Sequence, residues 1–343
     1  MWKKACKTLL IKYLSVFIGV TLVLFIIEKL IPSSYIYADY NSLSSANNIL
    51  GLNKPLFIQY FYFIYDLITL RLGNTSNLIY SGSTHTGIME MLPETLFLII
   101  LAFIVILVIS YKIGFFLGFR SMKDQRLDIN IFPVTVLYFI LPIVFIGILS
   151  GVYRILPYRY IMPEYYAAKY SWVIYANNGI IITRPTDIIL FDAIIHGSLG
   201  FLYYYLLRFV MPFVSIIIPV ALYLTIFIKR LTTIEYKKKY VRIRILKNVD
   251  DDNFIYHIKR NIRYIMLHEY KTIFGIYLSG IIIVTYIFSY MNLGEFFIYS
   301  IIDFPSGLMG MLGSAFIFSS MVIVFNLMMD IMILGGTKNA EEY

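Results

Sequence analysis

The sequence predicts an all-α polytopic membrane protein with six transmembrane helices. Three observations carry that reading. Apolar residues make up 59% of the 343-residue chain. Charged residues make up 14%, against about 25% in an ordinary soluble domain. The apolar residues are gathered into long uninterrupted runs, and the mean hydropathy is +0.76. So few charges cannot cover a water-soluble protein of this length, which excludes a soluble enzyme, and the same numbers exclude intrinsic disorder. A single cysteine, Cys6, excludes a disulfide framework or a thiolate metal cluster.

A bilayer core about 30 Å thick needs about 20 apolar residues in a helix. Six stretches qualify: Leu9 to Ile31, about Leu96 to Phe119, Ile131 to about Ile155, about Tyr203 to Ile228, Ile273 to Tyr290, and Leu308 to Leu334. The first is about twice as long as the apolar core of a signal peptide, and no small-residue cleavage site follows Ile31-Pro32, so it reads as a retained anchor. Pro142, Pro212 and Pro219 are expected to kink their helices.

Loop charge sets the expected orientation. Lys3, Lys4, Lys7 and Lys12 precede or open the first span, whereas Pro32 to Pro93 holds only Lys54 and Arg71. Arg120, Lys123 and Arg126 follow the second span; Leu156 to Leu202 holds only Arg159, Lys169 and Arg184. Twelve bases lie between Lys229 and Lys271 inclusive, and none between Met291 and Gly307. Basic density rises in every second loop, which puts both termini and the 120–130 and 229–271 loops in the cytoplasm of a cell-membrane protein. The net charge of +9 is then a property of those loops rather than a sign of nucleic-acid binding. The chain divides into a tail with the first helix (1–31), an external segment (32–93) and a core (94–343) with a second external segment at 156–202. Tyr158, Tyr160, Tyr165, Tyr166 and Tyr170 in the latter suit a layer packed at the membrane interface.

No catalytic constellation is legible. His85, His196, His257 and His268 lack metal-ligand spacing, and neither a Walker A loop nor a G-x-S-x-G elbow occurs. Lys112 and Glu28-Lys29 fall near helix ends, where long side chains snorkel to water. Asn326 and Asp330 share one helix face; contact with a neighbouring helix is the expected role, with a cation or proton site as the alternative. The spacings Gly114/Gly118 and Gly147/Gly151 permit close helix contact, expected within the chain.

The informative loop runs from Lys229 to Asn248. Ile234, Val241 and Ile245 recur at helical spacing with bases on the other faces, so a short helix ending at Asn248 is expected. Asp250 to Asp252 would open a second helix carrying His257, Lys259, Arg260 and Arg263. Such a basic segment either lies on anionic lipid or docks a soluble partner.

Around this loop the chain resembles the oligopeptide/dipeptide permease family of ABC importers, in particular its first membrane subunit, over nearly its whole length. Leu50-Gly51-Leu52-Asn53-Lys54-Pro55-Leu56 with Gln59-Tyr60 is similar to the family's "LGLDRPLxxQY". Leu72-Gly73-Asn74-Thr75 resembles "DLGxS", and Leu92-Pro93-Glu94-Thr95-Leu96 resembles "RLPATL". Tyr240-Val241-Arg242 with Lys247-Asn248 resembles "YVRTARAKG", and His257 with Arg260-Asn261 resembles "HxxRN". Asn292-Leu293-Gly294, Asp303-Phe304-Pro305, and Asn326-Leu327 with Asp330 resemble its closing signatures. The chain departs from the docking motif where Arg244, Ile245 and Asn248 stand for alanine, arginine and glycine, and the proline expected after "RN" is replaced by Ile262 to Met266.

The resemblance implies a type I ABC importer permease fold with a coupling helix between the fourth and fifth spans. Glu235, Tyr240, Val241, Arg242, Arg244, Lys247 and Asn248 would contact a partner ATPase, with Tyr240 and Val241 as the apolar anchor. The implied partners are a homologous second permease subunit, two cytoplasmic ATPases that hold the ATP and Mg, and an external solute-binding protein. The chain itself would be no enzyme and hold no cofactor or metal. Peptides, oligosaccharides and nickel are the family's cargo classes. The competing readings are a polytopic membrane enzyme, which calls for acids or histidines clustered at one membrane face, and a self-sufficient secondary transporter, which calls for inverted repeats and midplane charges.

Overall fold

The computed structural model describes residues 2–30, 54–121, 134–157, 172–176, 179–241 and 251–341. Nine helical elements and two hairpins order these residues. They are α1 (Trp2–Leu30), α2 (Leu56–Thr69), β1 (Asn74–Asn77), β2 (Tyr80–Ser83), α3 (Thr84–Ser121) and α4 (Val134–Phe145). After α4 come β3 (Val173–Ala176), β4 (Gly179–Ile182), α5 (Ile189–Ile195), α6 (Leu199–Tyr236), α7 (Asp251–Ile287), α8 (Leu293–Ile302) and α9 (Leu308–Glu341). A π-helical stretch, Ile146–Val152, continues α4. Each pair of strands forms an antiparallel hairpin.

Among the described residues, six helices are long and apolar enough to cross a membrane: Lys7–Leu30, Thr84–Arg120, Thr135–Val152, Leu199–Tyr236, Ile255–Ile287 and Leu308–Gly335. They fall on the six stretches expected from hydropathy. Three run well past the expected bounds, because helical hydrogen bonding continues into polar sequence beyond a bilayer's thickness. α3 begins at Thr84, well before its apolar run, with Pro93 inside it. The expected second helix of the basic loop is the start of α7, which continues without a break into the fifth span. Pro142, Pro212 and Pro219 all lie inside helices.

The chain packs as two units. The first comprises Met1–Phe97, Pro157–Arg208 and Thr285–Leu327. Its core gathers Leu24 of α1, Phe63 and Leu67 of α2, Leu72, and Leu308, Met309, Leu312 and Phe316 of α9. Close van der Waals packing of these side chains holds together segments that are far apart in sequence. The hairpin β1–β2 is fastened to the last turn of α8 and the segment after it. Leu78 N donates to Asp303 Oδ2 at 2.7 Å, Asn77 Nδ2 to Ser300 Oγ at 2.9 Å, and Ser76 N to Ser306 O at 3.0 Å. Trp172 is buried, stacks on His196 at 4.9 Å and donates its indole proton to Ser198 Oγ at 3.1 Å.

The second unit comprises Leu98–Leu156, Phe209–Val284 and Met328–Tyr343. α3 and α6 meet there through glycine. A β-carbon at Gly114 would lie 2.8 Å from Ile228, and one at Gly118 2.7 Å from Thr232. Gly280 of α7 likewise gives its space to the Tyr138 ring of α4, which would sit 2.1 Å from an added β-carbon. The two small-residue pairs noted in the sequence therefore differ. Gly114/Gly118 is a packing face, whereas nothing lies within 4 Å of a β-carbon at Gly147. Tyr277 Oη donates to Ile99 O at 2.7 Å, and Phe103 meets Phe274 edge-on at 5.4 Å.

Candidate functional site: the basic corner between α6 and α7

α6 ends at Tyr236, a turn follows at Lys237 and Lys238, and Lys239, Tyr240 and Val241 are helical again. The expected helix from Glu235 to Asn248 is thus broken in its first turns. Glu235 belongs to the last turn of α6, not to the short helix.

One carboxylate holds the corner together. Glu235 is 4% exposed. Its Oε1 accepts from Tyr240 Oη and from Asn261 Nδ2 of α7, the latter at 3.1 Å. Asn261 Nδ2 also lies 2.8 Å from Tyr240 Oη. Lys238 Nζ sits 2.6 Å from Glu235 Oε2. A buried carboxylate requires such donors, and here they come from three successive segments. Farther along α7, Lys259 lies over the rings of Tyr111 and Phe115 near the end of α3, at 5.9 and 5.6 Å. Lys237, Lys238, Lys239, Tyr240, Arg260 and Arg263 are exposed, so the corner presents a basic surface pinned from beneath by one acid.

Of the seven coupling residues read from the sequence, Glu235, Tyr240 and Val241 are described, and Arg242, Arg244, Lys247 and Asn248 lie outside the described residues. Glu235 and Tyr240 are brought together; Arg242 and Lys247 carry no geometry. Val241 is fully buried within the chain, so the expected apolar anchor is corrected: Val241 packs inward, and Tyr240 alone of the two is exposed. Asn261, quoted in the sequence only as part of a pattern, is the residue that closes the corner onto α7.

Other polar residues also find partners. Asp330 pairs with Lys271 of α7, which supports helix contact over the cation-site alternative. Glu28, expected to snorkel, is instead buried at 2% exposure and lies 3.4 Å from Lys29. Lys112 is exposed. Glu94 is buried and accepts from Tyr205 Oη at 2.7 Å, from Ile189 N at 2.9 Å and from Tyr290 Oη. Its neighbour Thr95 accepts from Leu293 N at 2.9 Å. The Leu92–Leu96 element therefore stitches α5, α6 and the start of α8 to α3. An acid in the first apolar turns of a span was the available signal for this knot. Asn292 caps α8 through Gly294 N and Glu295 N.

Outside the spans, burial lifts the Glu295 carboxyl to about 8. Asp187 is raised by burial and by Asp192, against the pull of Arg184.

These features define a predominantly helical, multi-pass membrane protein. No protein-family model matches the chain, and no curated protein matches it.

Proposed function

We propose that this chain is one membrane subunit of an ATP-driven importer of the oligopeptide/dipeptide permease type, and that the corner at Glu235–Val241 receives the motion of a cytoplasmic ATPase. The observation that carries the reading is the three-way contact of Glu235, Tyr240 and Asn261. A short helical segment pinned to the ends of both α6 and α7 passes a push to two membrane helices at once. The ordered motifs quoted from the sequence add to it, as does the alternation of loop charge that puts the corner and both termini in the cytoplasm.

In this reading a homologous second permease subunit completes the path and two ATPases bind and hydrolyse ATP. A solute-binding protein delivers a peptide or oligosaccharide to the opposite face, where the hairpin β1–β2, the Asp303–Ser306 segment and the 172–198 region form the docking surface. Exposed lysines around Tyr240 steer an acidic partner surface and fix its register. The buried aromatic contact supplies affinity, commonly roughly 2 kcal/mol or more for such an anchor.

The test is co-purification and transport. The chain, expressed with its neighbouring reading frames, is expected to purify with two P-loop ATPases and a second permease subunit and to drive ATP-dependent uptake in vesicles. Tyr240→Ala, with every charge kept, should lower uptake and loosen ATPase association while the chain still inserts. Uptake by this chain alone, or unchanged ATPase association in Tyr240→Ala, would overturn the proposal.

A further inference from the structure

Helix α2 is inside out. Along Leu56–Thr69 the residues turned into the chain are Gln59, Phe63, Asp66 and Leu67. Those turned outward are Leu56, Phe57, Phe61, Tyr65 and Ile68, between 54% and 72% exposed. Water selects the opposite arrangement, with the carboxylate and amide out and the large apolar side chains in.

The position of α2 along α1 accounts for this. Tyr60 Oη lies 2.8 Å from Thr21 Oγ1 and donates to Ile18 O at 3.3 Å. The Phe25 ring meets Tyr60 at 5.4 Å and Phe63 at 5.5 Å. Ile18 to Phe25 lie between the middle and the C-terminal third of the membrane span Lys7–Leu30. A fourteen-residue helix is about 21 Å long, too short to cross a core of about 30 Å.

The Gln59 amide and the backbone at the end of α2 are met within the chain, whereas the buried Asp66 Oδ2 has no hydrogen-bond partner. Gln59 Nε2 donates to Lys54 O at 2.7 Å, Arg71 N to Asp66 O at 2.9 Å, and Leu70 N to Leu67 O at 3.3 Å. The Lys54 ammonium lies 4.3 Å over the Tyr62 ring. Internal satisfaction of the backbone is what a hydrocarbon surrounding demands. The exterior of α1 has the same character: Leu10, Ile11, Leu14, Ile18, Leu22 and Ile26 are all exposed.

We propose that α2 lies at partial depth in the bilayer beside α1, and that its outward face of Leu56, Phe57, Phe61, Tyr65 and Ile68 is covered by lipid acyl chains of the leaflet holding the C-terminal half of α1. On this proposal α2 stands apart from the rest of the expected external segment 32–93, and it is removed from any surface offered to a water-soluble partner. The inference rests on the membrane character of the chain alone and does not depend on the importer reading.

The experiment places a nitroxide spin label at Phe57→Cys, Phe61→Cys or Ile68→Cys, one at a time, in a Cys6→Ser background. The full chain is reconstituted in phosphatidylcholine/phosphatidylglycerol vesicles. Collision rates are measured with oxygen, which partitions into lipid, and with a water-soluble nickel chelate. A label at Lys238→Cys on the basic corner supplies the aqueous reference. All three α2 labels are expected to collide readily with oxygen and severalfold less with nickel than the reference does. Nickel collisions equal to the reference would put the face in water, and suppression of both collisions would mean a protein covers it. Either result overturns the proposal. Three sites on one face keep the test decisive if one variant fails to accumulate.

Discussion

Asn261 Nδ2 donates to Glu235 Oε1 at 3.1 Å, joining the last turn of α6 to the third turn of α7 across 26 residues of sequence. The bond is charge-assisted and its acceptor is buried, so it is worth more than the ion pair on the same carboxylate, whose lysine is half-exposed. Double-mutant cycles in detergent are expected to give a coupling of roughly 1.5 kcal/mol for Glu235→Ala with Asn261→Ala. For Glu235→Ala with Lys238→Ala the expected value is below about 1 kcal/mol. Equal couplings would mean that the corner is held by surface charge.

Glu94 gathers three donors where water cannot replace it. Tyr205 Oη and Tyr290 Oη lie 2.8 Å apart, so in Glu94→Leu one hydroxyl can still donate to the other; one hydroxyl proton and the Ile189 amide are left without an acceptor, at an expected cost of roughly 2 kcal/mol or more. Adding Tyr205→Phe and Tyr290→Phe should recover part of the loss, because the hydroxyl proton left without an acceptor is then gone. A triple variant no more stable than Glu94→Leu would show that packing, not hydrogen bonding, holds the knot.

The buried Glu295 makes stability depend on pH in a stated direction. Its carboxyl titrates at about 8 in the fold against 4.5 ordinarily. The folded state therefore holds the proton longer, and the stabilisation, full below pH 4.5, is lost as pH rises through about 8. Melting temperature is expected to fall across that window and to flatten there in Glu295→Gln, which should be the more stable protein at pH 8. Parallel profiles for the two proteins would refute the assignment.

Gly280 tests the packing of the second unit. Gly280→Ala drives a methyl into the Tyr138 ring and should cost about 1–3 kcal/mol. Gly275→Ala, on the same helix with nothing within 4 Å of the added carbon, should be neutral or stabilising by up to about 1 kcal/mol. Tyr138→Ala is expected to rescue the first variant. If both alanines behave alike, α4 does not pack at Gly280.

The six spans were legible because hydrocarbon thickness imposes a length that a run of Ile, Leu and Phe either meets or does not. The corner was legible in part. Loop charge located it, and Glu235, Tyr240 and the Arg260-Asn261 pattern were in view, but nothing in spacing said that a buried carboxylate would join them. Val241 was misjudged because an apolar residue among bases reads equally as an anchor for a partner and as a plug for its own chain. α2 escaped because fourteen residues are too few for a hydropathy window set to span a bilayer, and its mixture of Gln59, Asp66 and aromatics reads as ordinary amphipathicity until the burial of each face is known. The hairpin β3–β4 left a usable trace: Val173-Ile174-Tyr175 and Ile180-Ile181-Ile182 flank Asn177-Asn178-Gly179, a turn composition between β-branched runs. For Glu94, the partners Ile189, Tyr205 and Tyr290 lie 95, 111 and 196 residues away, beyond the reach of any local pattern.

The cluster of Leu24 with Leu308, Met309, Leu312 and Phe316 has a consequence for manufacture. When α1 leaves the ribosome, the helix that will cover Leu24 begins 278 residues farther along the chain, from Leu30 to Leu308. At about 5–20 residues per second, α1 waits roughly a quarter of a minute to a minute for it. Through that interval Leu24, Phe63 and Leu67 sit in a half-built core that only the last span closes. A chain that stalls or is cut before α9 is therefore left with its earliest segments unsealed, and these are what membrane quality control would meet first.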